Sequence, residues 1–162
     1  MFVSRWDSAS ADKVPVELKG RLGIAMAQRT YKAYRDLLAS DRWLRLLNVG
    51  ARSQRLLWAS TGTKDPKASD VLYVKGLAAP HSVNTMPEKT LLALADHGEI
   101  GAMLPHDGGD AEDVLASFTK AGVDVSALAA TLQRDGAAAF VTSWKELLAC
   151  LVEKSSNLRK AG

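Results

Sequence analysis

The sequence predicts an α/β fold in which strand–helix units come first and helices alone follow. Three observations carry this. Met1–Trp6 and Arg55–Ala59 are short runs of strand length, apolar at Phe2 and Val3 and at Leu56, Leu57 and Trp58. Between them lies a long segment of helical periodicity. Beyond Pro87 the apolar residues recur at three- and four-residue steps through most of the chain.

Met1–Trp6 reads as a strand with Arg5 near its C-terminal end, and the polar stretch Asp7–Val16, with Pro15, reads as a loop. Glu17–Ser40 reads as a helix whose stripe is Ile24, Ala27, Tyr31, Tyr34 and Leu38. Gly20 and Gly23 either weaken its first turns or permit a close approach to a neighbouring strand. Asp41–Leu47 reads as a second helix with Trp43, Leu44 and Leu47 on its buried side, stopped by Asn48 and Gly50. After the strand Arg55–Ala59, Asp65-Pro66 opens a turn, and Asp70–Val74 fits either a strand or a helical turn. Pro87 suits a first helical turn, with Thr85 as a candidate cap. Leu91, Leu92, Leu94 and Ala95 are the expected buried side of that helix, which stops near Gly98. The glycine-rich Glu99–Asp110 is expected to be the most mobile connection. Three helices follow: Asp110–Ala121 ending at Gly122, Ser126–Arg134 with Ser126 as N-cap, and Ala137–Lys154. The last carries Phe140, Trp144, Leu147, Leu148 and Leu151 on one face, and Ser155–Gly162 should fray. Trp6, Trp43, Trp58 and Trp144 are expected in the core.

The chain has 162 residues, enough for one domain with its own core. A hydrophobic content of 47% and a charged content of 24% are those of a globular protein. No apolar run is long enough to span a bilayer, and Arg5 and Asp7 interrupt any N-terminal signal pattern, so the expectation is a cytoplasmic protein without a membrane partner. A net charge of +3 favours anionic ligands slightly. The basic residues are interleaved with acidic ones, which argues against nucleic acid. Cys150 is the single cysteine, and His81, His97 and His106 lack ligand spacing, so neither a disulfide framework nor a metal site is expected.

The stretch most suggestive of chemistry is Arg52–Pro66, RSQRLLWASTGTKDP. A buried strand empties into a loop of hydroxyls, a glycine and a lysine. Ser60, Thr61 and Thr63 can donate hydrogen bonds, Gly62 lets backbone N–H groups come close, and Lys64 adds a cation. Those are the parts of an oxyanion site. They are equally the parts of a polar surface turn after a strand.

LWASTGTK, followed by Asp70-Val-Leu-Tyr-Val74 and Val83-Asn-Thr-Met-Pro87, resembles the C-terminal part of bacterial and plant-type transaldolases, or of the transaldolase half of transaldolase–glucose-phosphate isomerase fusions. Phe2-Val-Ser-Arg5 with Asp7, and Ala95-Asp-His-Gly98, extend the resemblance over nearly the whole chain in the same order. The resemblance implies the C-terminal portion of a TIM (β/α)8 barrel: strands six to eight with their helices within residues 1–98, Val83–Met86 being the last strand, and C-terminal helices within 110–154. A complete barrel needs roughly 250 residues, more than are present here.

The resemblance also implies a reaction. Transaldolases transfer a dihydroxyacetone unit between sugar phosphates of the pentose phosphate pathway. They do so through a lysine Schiff base, with no metal or organic cofactor. The family's lysine and its aspartate lie on the fourth and first strands, outside these residues. What remains corresponds to the phosphate side. Arg5 falls at the sixth-strand arginine and Ser60 at the seventh-strand serine. The serine that precedes the family's arginine is absent. Gly62 stands where classical members have a second arginine, for which Lys64 is the candidate replacement. Asp65, where the family usually has asparagine, adds negative charge beside this site.

The site residues implied are therefore Arg5, Ser60 and Lys64, with sugar phosphates as ligands and no catalytic residue. The alternatives are a non-catalytic phosphate-binding module and a lysine-dependent aldolase centred on Lys64; the polar loop around Lys64 argues against the latter. The sheet face bearing Phe2–Val3, Leu56–Trp58 and Val83–Met86 should be apolar and open, needing either self-association or a second chain that supplies the missing strands.

Overall fold

The first apolar residues of the chain are shared between a strand pairing and a helix. In the computed structural model, which describes residues 2–161, Phe2 forms a single parallel bridge with Ala59. Helix α1 (Val3–Ser10) begins immediately after it. Val3, Trp6 and Ser10 are buried and stand three and four residues apart, so the run follows helical spacing and corrects the reading of Met1–Trp6 as a strand. Met1 lies outside the described residues. The expected loop Asp7–Val16 shrinks to the turn between α1 and a short 3-10 turn at Val16–Leu18.

Helix α2 (Leu22–Ala39) starts five residues later than its apolar pattern suggested. A side chain from α1 fixes this start: Asp7 Oδ1 accepts the N–H groups of Leu22 at 2.9 Å and Gly23 at 3.2 Å. Those are donors that a helix N-terminus leaves without partners. A Cβ on Gly23 would fall 2.7 Å from the Val3 carbonyl oxygen and 2.6 Å from Asp7 Oδ2, so glycine is required for α1 and α2 to approach this closely. The neighbour is thus a helix rather than the expected strand. Helix α3 (Asp41–Asn48) is capped by Ser40, whose Oγ accepts from Trp43 N. Its expected buried side is not buried: Leu44 and Leu47 are exposed and Trp43 is half-buried. An apolar stripe on so short a helix records which face is apolar, not whether anything lies opposite.

Strand β1 (Leu56–Trp58) pairs in parallel with β2 (Ser82–Asn84), with Leu57 opposite Val83 and Trp58 opposite Asn84. The Asp70–Val74 ambiguity resolves as helix α4 (Leu72–Gly76) in the connection between them. Trp58 is fully buried with Val3, Ala27, Tyr31, Tyr73, Leu77 and Leu104, and Leu56 packs against this core. The alternate residues Leu57 and Val83 are 46% and 38% exposed. The open face expected of the sheet therefore includes Phe2, Leu57 and Val83, while Val3, Leu56 and Trp58 belong to the helix-covered side.

Helix α5 (Glu88–His97) follows Pro87 as expected, but Thr85 does not cap it: the Thr85 hydroxyl donates to the Trp58 carbonyl at 2.9 Å. Only Thr90 is buried on this helix; Leu91, Leu92 and Ala95 are exposed and Leu94 is half-buried. Leu104 anchors the following connection to the core, its N–H donating to Ala78. Helix α6 (Ala111–Lys120) lies against α2 through the Arg29–Glu112 and Arg21–Asp110 ion pairs. It ends where Gly122 was expected to end it. Val123 N donates to Phe118 O and Gly122, at φ +87°, donates to Thr119 O, with Val123 and Phe118 both buried. This is the left-handed glycine stop with its accompanying apolar contact.

The chain divides into two compact units, Met1–Val125 and Ser126–Gly162. The second is helix α7 (Val125–Ala161), 37 residues long. The two helices expected over Ser126–Arg134 and Ala137–Lys154 are one, Ser126 is internal rather than an N-cap, and the stretch expected to fray is helical through Ala161. Gly136 costs about 1 kcal/mol relative to alanine, too little to interrupt the alanine-rich sequence around it. Phe140, Trp144, Leu147, Leu148 and Leu151 are exposed, with Trp144 at 61%, so Trp144 is not a core residue.

Two outcomes follow from this packing. Trp58→Ala should destabilise the chain by about 3–5 kcal/mol, measured by urea unfolding; a loss below about 1 kcal/mol would mean the indole does not fill the core. His97 bridges Asp70 at 3.0 Å and Asp96 at 3.2 Å. The hydrogen bond that it donates to Asp70, then that to Asp96, raises its pKa. The protonated bridge contributes stability below the ordinary histidine value and loses it as pH rises through the raised one. NMR titration should find His97 above free histidine, and Asp70→Asn should bring it back down.

Candidate anion site at the end of β1

Past β1 the chain turns sharply. Ser60 sits at φ +57°, in the left-handed region that residues with a Cβ enter at a cost of about 1–2 kcal/mol. Two neighbours hold it there. From α1, Ser4 N donates to Ser60 O at 3.0 Å, and the two serine hydroxyls lie 2.7 Å apart. From the end of β2, contacts reach the next residue: the Thr61 hydroxyl donates to Asn84 Oδ1 at 2.7 Å and to Thr85 O at 3.2 Å. Thr61 is fully buried.

Beyond this clamp the loop opens outward. Gly62 and Thr63 are half-buried and Lys64 is exposed. Among the described residues, the backbone N–H groups of Gly62, Thr63 and Lys64 have no acceptor within the chain. The Thr63 hydroxyl is committed to Ser69 O at 2.8 Å. Asp65 Oδ1 accepts from Lys67 N at 2.9 Å, so the aspartate closes its own turn.

Of the three residues singled out from the sequence, Ser60 and Arg5 are brought close in the chain path. Arg5 directly follows Ser4, whose backbone and hydroxyl grip Ser60. Arg5 is exposed on α1. Lys64 lies on the same loop as Ser60, and no hydrogen bond or ion pair within the described residues engages it. Ser60 and Lys64 thus lie on the loop after β1 and Arg5 on the first turn of the helix that borders it, with no hydrogen bond or ion pair among their side chains in the described residues.

A neighbouring cleft of about 250 Å³ is a different place. Asp7, Lys19, Thr63, Asp65, Leu72 and Tyr73 are among its lining residues. Its charged lining residues are Asp7, Asp65 and Lys19, so no excess of cations marks it for an anion. Asp7 Oδ2 accepts from the Tyr73 hydroxyl at 2.7 Å. Burial raises the Asp7 pKa, against the Tyr73, Gly23 and Leu22 hydrogen bonds that lower it. Burial, then the charge of Asp7, pushes the Tyr73 phenol far above its ordinary value, which keeps it a donor. Sequence reading missed Asp7, Tyr73, Thr61 and Asn84 as a supporting frame, because each finds its partner through the fold rather than along the chain.

Residues 1–151 match the family model described as transaldolase/fructose-6-phosphate aldolase. A transaldolase of Saccharopolyspora erythraea is 42% identical over 159 residues, covering 94% of this chain and 43% of its own length. One of Mycolicibacterium smegmatis is 43% identical over 155 residues, 91% of this chain and 42% of its own. One of Mycobacterium tuberculosis is 45% identical over 156 residues, again 91% and 42%. The chain therefore spans less than half the length of the curated relatives it matches.

The Asp7 junction carries a pH signature. Because burial raises its pKa, folding favours the neutral acid: that contribution is present below the ordinary aspartate value and lost as pH rises through the raised one. Asp7→Asn keeps an acceptor for Leu22 and Gly23 and should flatten this slope. Asp7→Ala leaves two N–H groups and a phenol without partners and should cost about 2–3 kcal/mol. Urea midpoints between pH 3 and 7, read against the aspartate range, check both.

Proposed function

The chain belongs to the transaldolase/fructose-6-phosphate aldolase family, and on that premise we propose that it supplies the substrate-phosphate side of a transaldolase-type site, for transfer of a dihydroxyacetone unit between sugar phosphates of the pentose phosphate pathway. The observation that carries this reading is the loop after β1. Ser60 is held in a left-handed conformation, the N–H groups of Gly62, Thr63 and Lys64 have no acceptor among the described residues, and Lys64 on the loop and Arg5 beside Ser4 supply positive charge. Successive free N–H groups beside cations suit a phosphate. Holding the phosphate fixes the far end of a sugar phosphate and so orients its reacting carbonyl.

On this reading the Schiff-base lysine and its carboxylate come from β/α units outside these 162 residues. Lys64 does not substitute for them, because it is exposed and a Schiff-base lysine needs desolvation or a cationic neighbour to be nucleophilic. The chain by itself is then a phosphate-binding module without turnover. The exposed Leu57 and Val83 on the sheet, and Leu91 and Leu92 on α5, favour association with a further chain or a second copy.

Calorimetric titration with inorganic phosphate should show weak, salt-sensitive binding, and Arg5→Ala and Ser60→Ala should each reduce affinity about tenfold, the value of one charge-assisted hydrogen bond. If neither substitution changes the affinity, the assignment of the two residues is wrong. Borohydride reduction of the chain with fructose 6-phosphate should trap no adduct; modification of Lys64 would instead favour an independent aldolase. Light scattering across a concentration series should show self-association, and a strict monomer would rule out the second copy as the partner.

A further inference from the structure

Ser60 occupies a backbone conformation that its side chain disfavours, and a local cost of that kind persists only where the surroundings impose it. The grip from α1 acts on Ser60 itself, through Ser4 N and the paired hydroxyls. The grip from β2 acts one residue later. Thr61 has no exposed surface, and its single hydroxyl proton is shared between Asn84 Oδ1 and Thr85 O. Thr85 is in turn tied to the Trp58 carbonyl by both its N–H and its hydroxyl, each at 2.9 Å. The end of β1 is thus closed into a ring of hydrogen bonds running Trp58–Thr85–Thr61, with Asn84 alongside. Gly62 follows tightly: a Cβ there would fall 3.1 Å from Pro87 Cγ. The chain is anchored on both sides of the Ser60–Thr61 peptide, and the loop N–H groups leave from that anchor.

We infer that Thr61 is a positioning residue: its buried hydroxyl, held by Asn84 and Thr85, keeps Ser60 left-handed and so aims the Ser60 hydroxyl and the Gly62–Lys64 amides at a bound oxyanion. The ligand half of this statement rests on the proposed phosphate site, while the backbone half does not. Thr61 is too buried to touch the ligand; it acts through Ser60. A valine has the same shape without the hydroxyl, so Thr61→Val removes the hydrogen bonds and keeps the packing. Thr61→Ser does the reverse.

Two readouts on the full chain separate the halves. The first is the φ of Ser60, taken from the three-bond amide–Hα coupling and carbon shifts by NMR. Thr61→Val should move these from left-handed toward extended values, and Thr61→Ser should retain them. The second is calorimetric titration with inorganic phosphate: Thr61→Val should lose about tenfold in affinity and Thr61→Ser should bind like the wild type. If Thr61→Val leaves both readouts unchanged, the inference is wrong. If Thr61→Ser loses as much as Thr61→Val, packing rather than the hydroxyl positions the loop, and the inference is equally overturned. If the wild-type chain binds no phosphate, the proposed function fails on its own account, and the Ser60 coupling still decides whether Thr61 sets the backbone.

Discussion

The Asp7 carboxylate joins three helices, and much of the first unit follows from it. It leaves α1, accepts two N–H groups at the start of α2 and receives the Tyr73 hydroxyl from α4. One oxygen completes a helix N-terminus and the other fixes an aromatic ring in the core. Glycine at position 23 is needed because Val3 O and Asp7 Oδ2 already occupy the space of a Cβ. Burial works against the ionised carboxylate, while three donors work for it. The junction is a compromise between desolvation and hydrogen bonding, in which losing one partner costs more than the bond alone contributes.

That junction brings the start of α1 to the end of β1. Val3 N donates to Ala59 O and Ser4 N to Ser60 O, so the first turn of α1 continues the parallel pairing that Phe2 begins. On the far side, β2 and its following turn hold Thr61 and the Trp58 carbonyl. The three segments therefore lie side by side with their C-terminal ends together. In α/β folds that is the edge where loops carry ligand-binding groups. The same geometry divides the side chains of β1 between its two faces: Trp58 goes to the helix side and Leu57 to the other, because successive residues of a strand point opposite ways.

Local patterns were legible where one residue type decides an outcome. Pro87 before α5 and Gly122 after α6 each act through the backbone of their immediate neighbours, and both fall where the sequence places them, whereas Ser40, read as the end of the long helix, caps the next one. The start of α1 was misread because Phe2 does pair as a strand residue, while Val3 and Trp6 serve a helix. The break expected near Gly136 failed because one glycine is a small penalty inside a long favourable run. For the loop after β1, the residue types and the strand–loop junction were readable. The left-handed Ser60 and the Thr61–Asn84 bond, spanning 23 positions, were not.

The sequence by itself determined the α/β class, the ends of α3, α5 and α6, the family, and the hydroxyl- and lysine-bearing loop, because these rest on short-range periodicity and on motifs in order. The tertiary structure alone decided which apolar faces are buried. Leu44, Leu92 and Trp144 carry as strong an apolar signal as Trp58 and yet are exposed, since burial depends on what stands opposite. It also decided that Asp7 belongs to the frame and Ser60 to the loop it presents. A carboxylate's role is set by the donors that reach it, and here those donors come from residues 15 and 66 positions further along the chain.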